Sequence, residues 1–497
     1  MNTVVTTPAG AIRGVLNDEV RTFLGVPFAS PPVGDLRWRA PQPARRWDGV
    51  LDATKPGPIA VQTIDLRPVE ARTEQSEDCL YLNIWTTASE PSSPQPVMVW
   101  IHGGGFINGT GSAPMYDGSE LAKQGVTVVN INYRLGAFGF LAHPEMGTNF
   151  GLLDWVAGLE WVASNIHAFG GDPNNVTVFG QSAGAAAVRS LLSTPAARGL
   201  FSRAIIQSAG FDDYAVVGSP SYERSLRASE RMFDALGTSD PAELRALPTE
   251  QVRLASLANS GIFAPEGEVH TPANLTWYPV VDGDVMPTGQ FEGWPEDVPV
   301  LIGCVADESR FFVRPNAVYA HPEIDPATVY TQDTLATMAT TLGGSRADEI
   351  LTHYSSSSLT AYEALAELVS AAVWFEPWLA TADRFAALGR TVFAYFFERL
   401  SPGSLETGLR ALHSAEIPYI FGHVDPADGF DGTDDLVSES IQHAWIEFAR
   451  TGVPANSDGS SWPRYDGKNR AVEIVGDTSR AENLNPNSVT TLLASLR

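Results

Sequence analysis

Residues 175–194 read Asn-Val-Thr-Val-Phe-Gly-Gln-Ser-Ala-Gly-Ala-Ala-Ala-Val-Arg-Ser-Leu-Leu-Ser-Thr. A β-branched, apolar run ends in Gly-x-Ser-x-Gly, and a stretch rich in Ala follows at once. Few architectures accept that order. The chain must leave a buried strand, reverse in a turn too tight for flanking side chains and enter a helix, which lifts the Ser182 hydroxyl above the sheet. A glycine-rich turn with an incidental serine is the plainer reading, and the strand-like and helix-like flanks argue against it.

The same alternation runs through residues 97–210. Segments 97–102, 126–133, 175–180 and 203–208 read as buried strands, rich in Val and Ile and bounded by Gly or Pro. Between them, Leu152, Trp155, Val156, Leu159 and Val162 recur at helical spacing, and 183–194 is a second helix candidate. Further strands are expected at 298–305, 391–398 and 471–476. Strands alternating with helices predict an α/β chain built on a mostly parallel sheet covered on both faces. Segments 211–297 and 310–390 are too long for plain connections and read as helical insertions over one end of the sheet. The acidic run 423–435 reads as a mobile surface loop without the closing Glu of an EF-hand. With no strong linker, residues 1–497 are expected to form a single domain carrying these insertions.

Composition narrows the function classes. The formal net charge is −26, and Lys occurs only at Lys55, Lys123 and Lys468. Such a surface repels phosphate, so neither nucleic acid nor an anionic membrane is an expected partner. The first 20 residues have no basic n-region or apolar h-region, and no apolar run approaches the ~18 residues of a membrane span. A cytoplasmic location is expected. Cys79 and Cys304 cannot build a disulfide framework and read as small buried hydrophobes.

A serine nucleophile needs an oxyanion site, a base and an acid. Gly103-Gly104-Gly105 after the strand 97–102 would free backbone N–H groups to face a substrate oxygen, and Gly104, Gly105 and Ala183 are the expected donors. The glycines lack the spacing of a phosphate-binding loop. His102 precedes that loop and should hold its shape. For the base, His443 lies in a helical pattern, while His413 and His423 both follow the strand 391–398. For the acid, Asp307 and Glu308 both follow the strand 298–305, and pattern alone does not separate them.

Several further stretches, in order, resemble type-B carboxylesterases, the α/β-hydrolase family that includes cholinesterases and bacterial para-nitrobenzyl esterases. They are 23–43 (FLGVPFASPPVGDLRWRAPQP), 76–85 (SEDCLYLNIW), 99–106 (VWIHGGGF), 132–141 (NYRLGAFGFL), 149–155 (NFGLLDW), 168–184 (AFGGDPNNVTVFGQSAG), 303–312 (GCVADESRFF) and 413–422 (HSAEIPYIFG). The resemblance implies an α/β-hydrolase fold and a triad of Ser182, His413 and Glu308. It also implies structural ion pairs Arg37–Glu77 and Arg134–Asp154, and a supporting role for Ser208 beside the acid. Three departures stand out. Gln181 replaces the Glu that many relatives carry before the nucleophile. The segment between Ala60 and Cys79 has no aromatic residue, so a choline ester loses its cation–π partner. The usual partner of Cys79 falls at Ala60, which removes the family's first disulfide.

The expected reaction is two-step acyl transfer without metal or organic cofactor, in which His413 takes the Ser182 proton, Glu308 fixes the imidazole and a small-molecule ester is the partner. Phe106, Phe311, Phe312, Trp374, Phe375 and Trp378 are candidates for an apolar pocket suited to aryl or medium-chain esters. Carbamate or amide hydrolysis on the same triad is the competing activity. A non-catalytic binding protein of the same fold is a further alternative, against which the intact Ser182, Glu308 and His413 argue.

Overall fold

Val97, Val99 and Ile101 face one apolar layer of the protein, and Met98 and Trp100 face the other. A strand with no polar side must be covered twice, and its neighbours repeat the pattern. Val176 and Val178 oppose Phe179, Ala204 and Ile206 oppose Ile205, and Val300 and Ile302 oppose Leu301. This explains why short apolar runs without alternation are strands here.

The structure, a computed structural model, describes residues 3–63, 74–88, 93–209, 221–261, 269, 271, 274–287, 298–310, 312–313 and 325–497. Its strands are β1 (Val4–Thr7), β2 (Gly10–Arg13), β3 (Val15–Asn17), β4 (Val20–Pro27), β5 (Val50–Asp52), β6 (Tyr81–Thr86), β7 (Gln95–Ile101), β8 (Thr127–Ile131), β9 (Gly171–Gln181), β10 (Arg203–Gln207), β11 (Val300–Val305), β12 (Val392–Phe397), β13 (Ala471–Val475) and β14 (Arg480–Asn483). β1, β2 and β5 form a small sheet, and the others form one large sheet in the order β14-β13-β12-β11-β10-β9-β7-β8-β6-β4-β3. From β13 to β8 all pairings are parallel. The outer pairings, β13–β14, β6–β8, β4–β6 and β3–β4, are antiparallel. The mostly parallel sheet expected from the sequence is present.

β8 and β9 lie on opposite sides of β7, so the strand order switches direction there. At such a point a crevice opens beyond the carboxyl ends of the strands. Gly103–Gly105 follow β7 and Ser182 follows β9, so topology alone brings both to one place.

The helices Phe150–Asn165 and Ala183–Ser193 occupy the expected positions. The segment 211–297 contains helices at Tyr222–Leu236, Pro241–Ala246 and Thr249–Ala258. The segment 310–390 contains Gln332–Gly343, Ala347–Ser355 and Ala361–Ser370, but its final helix, Glu376–Ala387, packs on β11 and β12 and belongs to the covering of the sheet. Among the described residues no helix is long and apolar enough to cross a membrane.

Both expected ion pairs are buried and two-pronged: Arg37 Nε to Glu77 Oε2 at 2.7 Å, and Arg134 Nε to Asp154 Oδ2 at 2.8 Å, each with a second guanidinium nitrogen on the other oxygen. Cys79 and Cys304 are free and buried. The acidic run 423–435 is a correction, because much of it is not a mobile loop. Asp431 caps the helix Gly432–Thr451, and Arg399 binds Asp434 at 2.7 Å, Asp477 at 2.8 Å and Asp431 at 2.9 Å. A cation from the end of β12 converts what looked like solvated charge into a helix start.

The helix Ala183–Ser193 lies against β7 closely enough to exclude a methyl group. A Cβ on Gly184 would sit 1.9 Å from the Ile101 carbonyl oxygen, and one on Gly180 would sit 2.5 Å from the Gly184 carbonyl. Both obstacles are backbone, so no rotamer change relieves them. Gly184→Ala should therefore destabilise the fold by about 3 kcal/mol and sharply reduce activity, measured by urea unfolding beside an ester assay. Unchanged unfolding would contradict this packing.

Candidate active site

Ser182 sits between the last residue of β9 and the first of its helix, at φ 59° and ψ −126°. A β-carbon rarely tolerates that conformation, and the strain is held by Ser182 N–H donating to Gln207 O at 2.9 Å and Ala186 N–H donating to Ser182 O at 3.0 Å. Ala183 opens the helix, so its N–H has no intrahelical acceptor. Gly104 at φ 113° could carry no side chain, since a Cβ there would meet Asn108 O at 2.2 Å. The N–H groups of Gly104 and Gly105 engage no acceptor among the described residues, and both glycines line one cavity with Ser182.

Burial brings His102 down to about 4, so it stays uncharged. Its Nδ1 lies 2.8 Å from Gly103 O and its ring stacks on Tyr133 at 4.4 Å. This is the shaping role the sequence suggested.

His413 enters the same cavity from the loop after β12. Its Nδ1 is 2.5 Å from Glu308 Oε2, and both side chains are buried. Val305 N–H donates to the other oxygen, Glu308 Oε1, at 3.1 Å. The acid and histidine loops are tied together by Asp307 N–H donating to Ala411 O at 2.8 Å. The alternatives left open by pattern separate on these contacts. Asp307 is taken by Arg410 at 3.0 Å and Arg310 at 3.1 Å, and His423 Nε2 lies 3.1 Å from Asp117 O. His443 lies within the helix Gly432–Thr451. The far nitrogen of the imidazole, His413 Nε2, is 3.1 Å from the Gln181 amide nitrogen. Ser182 Oγ makes no hydrogen bond among the described residues.

The cavity holds about 940 Å³. Phe312 lines it and packs edge-on against His413 at 5.2 Å. The other aromatic candidates need correcting. Phe106 is fully buried against Phe140, Trp155 and Tyr278, and Phe375 and Trp378 pack on Phe396. Trp374 stays behind the site, where its ring meets His413 at 5.5 Å without reaching the cavity. Phe311 lies outside the described residues. The cavity wall comes largely from elsewhere, including Met115, Leu275, Leu409 and Leu412. Ser208 is also corrected. It is buried at φ 57°, but among the described residues its hydroxyl has no partner, so it does not brace Glu308.

Sequence reasoning missed Glu416. It lies three residues beyond His413, fully buried, with Oε1 3.4 Å from the Gln207 amide and Oε2 unpartnered among the described residues. Burial first, and the nearby Glu308 second, push its carboxyl up to about 7. The acid inside a helix-forming stretch carried no signal of its own.

Comparison with known proteins agrees across the whole chain. Residues 1–491 match the carboxylesterase family. The chain is 36% identical to the para-nitrobenzyl esterase of Bacillus subtilis, across 97% of this chain and 96% of that protein. It is 35% identical to the fumonisin B1 esterase of Sphingopyxis macrogoltabida, across 96% of this chain and 87% of that protein. A solved PNB esterase structure superposes with a TM-score of 0.84 at 33% identity, covering 99% of each chain.

Glu416 yields a stability prediction. Its unfolded value is the ordinary ~4.3, so between about pH 4.3 and 7 the folded chain keeps a proton that the unfolded chain has released. Stability from this site is complete below that window and is lost as pH rises through it. Glu416→Gln removes the titration, so the variant should gain about 2–4 kcal/mol relative to the parent between pH 4.5 and 8 in urea unfolding. A difference constant with pH would mean the carboxyl is ionised throughout.

Proposed function

This chain belongs to the carboxylesterase family and is a carboxylic ester hydrolase with the α/β-hydrolase fold, and we propose that Ser182, His413 and Glu308 are its catalytic triad. The observation that carries the assignment is the short bond from His413 Nδ1 to Glu308, made in the cavity into which the strained Ser182 turn projects.

The chemistry follows from charge placement. Glu308 accepts a hydrogen bond from Nδ1–H, which leaves Nε2 as the base and keeps the ring oriented. As Ser182 Oγ attacks the ester carbonyl, Nε2 takes its proton, and the nearby carboxylate stabilises the imidazolium. The N–H groups of Gly104, Gly105 and Ala183, which engage no acceptor among the described residues, receive the developing oxyanion. The imidazolium protonates the leaving alcohol, and water repeats the sequence to free the acid from the acyl-enzyme. The apolar wall of Met115, Leu275, Phe312 and Leu412 supports aryl or short- to medium-chain esters as substrates. Gln181 beside the serine offers a quaternary ammonium no counter-charge, which disfavours choline esters. Two free thiols and the acidic surface suit a cytoplasmic enzyme acting on small molecules.

Ser182→Ala should lower turnover of para-nitrophenyl acetate by at least ~10⁴-fold with little change in thermal melting, and Glu308→Gln by ~10³–10⁴-fold. His413→Ala should match Ser182→Ala, whereas His423→Ala should retain most activity. Loss on His423→Ala with retention on His413→Ala would overturn the triad.

A further inference from the structure

The turn after β7 is tied down along its length. Gly104 O accepts the N–H groups of Ile107 and Asn108, each at 3.1 Å, and Thr63 N–H donates to Ile107 O at 2.8 Å. Gln62 grips the next residue, accepting from Gly109 N–H at 2.6 Å and donating to Gly109 O at 3.0 Å. The backbone of Asn108 is therefore fixed, and its carboxamide lies against Gly104, where a Cβ would meet Asn108 Oδ1 at 2.6 Å. Other polar side chains lining this part of the cavity are spent on the protein. Gln62 holds Gly109, Thr110 donates to Asn132 Oδ1 at 3.0 Å, and Thr271 Oγ1 donates to Asn274 Oδ1 at 3.4 Å. Asn108 lines the same cavity half-buried, and among the described residues its carboxamide has no hydrogen bond. Withdrawing a polar group from water without a protein partner weakens folding, and it leaves that group free to meet a ligand.

We propose that Asn108 is a specificity-determining residue that hydrogen-bonds an oxygen carried at the β or γ position of the substrate's acyl chain. The inference deepens the proposed ester hydrolysis and rests on its triad and oxyanion assignments. Its direction follows from the same chemistry. The leaving oxygen must face His413 to receive a proton, and the carbonyl oxygen faces Gly104 and Gly105. Asn108 stands on the oxyanion turn and not on the histidine loop, so the part of the ester it meets is the acyl chain. Contact with Gly104 sets the reach, because a group bonded to Asn108 lies about one residue's width from the carbonyl. No protein partner fixes the carboxamide, so it can turn either its oxygen or its N–H groups to the cavity. It can thus accept from a hydroxyl or donate to an ether or hydroxyl oxygen. Met115 and Leu275 give the chain an apolar wall, and Asn108 adds one anchored polar point to it. The substrate class is a short acyl ester bearing a hydroxyl or ether oxygen.

The test uses para-nitrophenyl esters of equal chain length: butyrate, methoxyacetate and β-hydroxypropanoate. They share a leaving group and differ in whether the acyl chain carries carbon alone, an ether oxygen or a terminal hydroxyl. Each is assayed with the parent and with Asn108→Leu, which keeps the side-chain size and removes the amide. In the variant, kcat/KM for the oxygen-bearing esters should fall by ~10-fold or more, while that for butyrate stays within ~3-fold. Asn108→Leu should melt no lower than the parent, since no hydrogen bond from this side chain to the described residues is lost. A loss on one oxygen-bearing ester alone supports the proposal and identifies the position recognised. An equal loss on all the esters, or no change on any, would overturn it. The first result would make Asn108 a support of the oxyanion turn, and the second would leave it without a role in selection. Should Asn108→Leu fail to fold, Asn108→Ala on the same esters decides by the same ratio. A failed triad assignment would show separately, as butyrate turnover that survives Ser182→Ala.

Discussion

The contact between Gly184 and the Ile101 carbonyl governs the rest of the molecule. With no Cβ at Gly184 or Gly180, the helix Ala183–Ser193 closes on β7 to a distance that no other residue permits. That approach forces the chain to reverse within Ser182, which accepts a positive φ as the consequence. The reversal then aims the hydroxyl along the direction in which β7 and β9 end and leaves the first N–H of the helix uncommitted. Nucleophile and anion-binding group are thus set by a single packing constraint, and the Gly103–Gly105 turn arrives from the neighbouring strand because the sheet switches direction between β8 and β9.

A second constraint governs the charges. The acid and the base come from loops separated by more than a hundred positions, yet Asp307 and Ala411 join the two in a backbone bond at their bases. Arg310 and Arg410 converge on Asp307, while Glu308 meets His413 Nδ1. The two acidic neighbours in sequence therefore take opposite duties through their partners. Behind them burial first, and the neighbouring Glu308 second, push the Glu416 carboxyl up to about 7.

Legibility in the sequence followed the range of the interactions. β7, β9, β10, β11 and β12 were readable because burial on both faces writes a continuous apolar run, and the strand–Ser182–helix turn because its glycines answer to local backbone. The antiparallel strands β3, β4 and β6 were not anticipated. Their identity depends on pairing with distant partners, and β4 is interrupted by a register shift between Phe23 and Val26. The aromatic wall was the least legible part. Phe106 and Phe312 look alike as residues following a site motif, but Phe106 turns at positive φ into the layer of Trp155 and Tyr278, while Phe312 remains beside His413. The run 423–435 misled for a related reason, since Arg399, which neutralises it, is 32 positions from Asp431.

Gln181 joins these strands of reasoning. Strand geometry places it one residue before a serine whose backbone is pinned, so its side chain enters the site whatever its chemistry. Glu308 holds the Nδ1 edge of the imidazole, the Gln181 amide nitrogen stands 3.1 Å from Nε2, and Glu416 is buried three residues further on. The imidazole is thus bracketed on both nitrogens, by a carboxylate on one and a neutral amide on the other, one residue from the Ser182 turn.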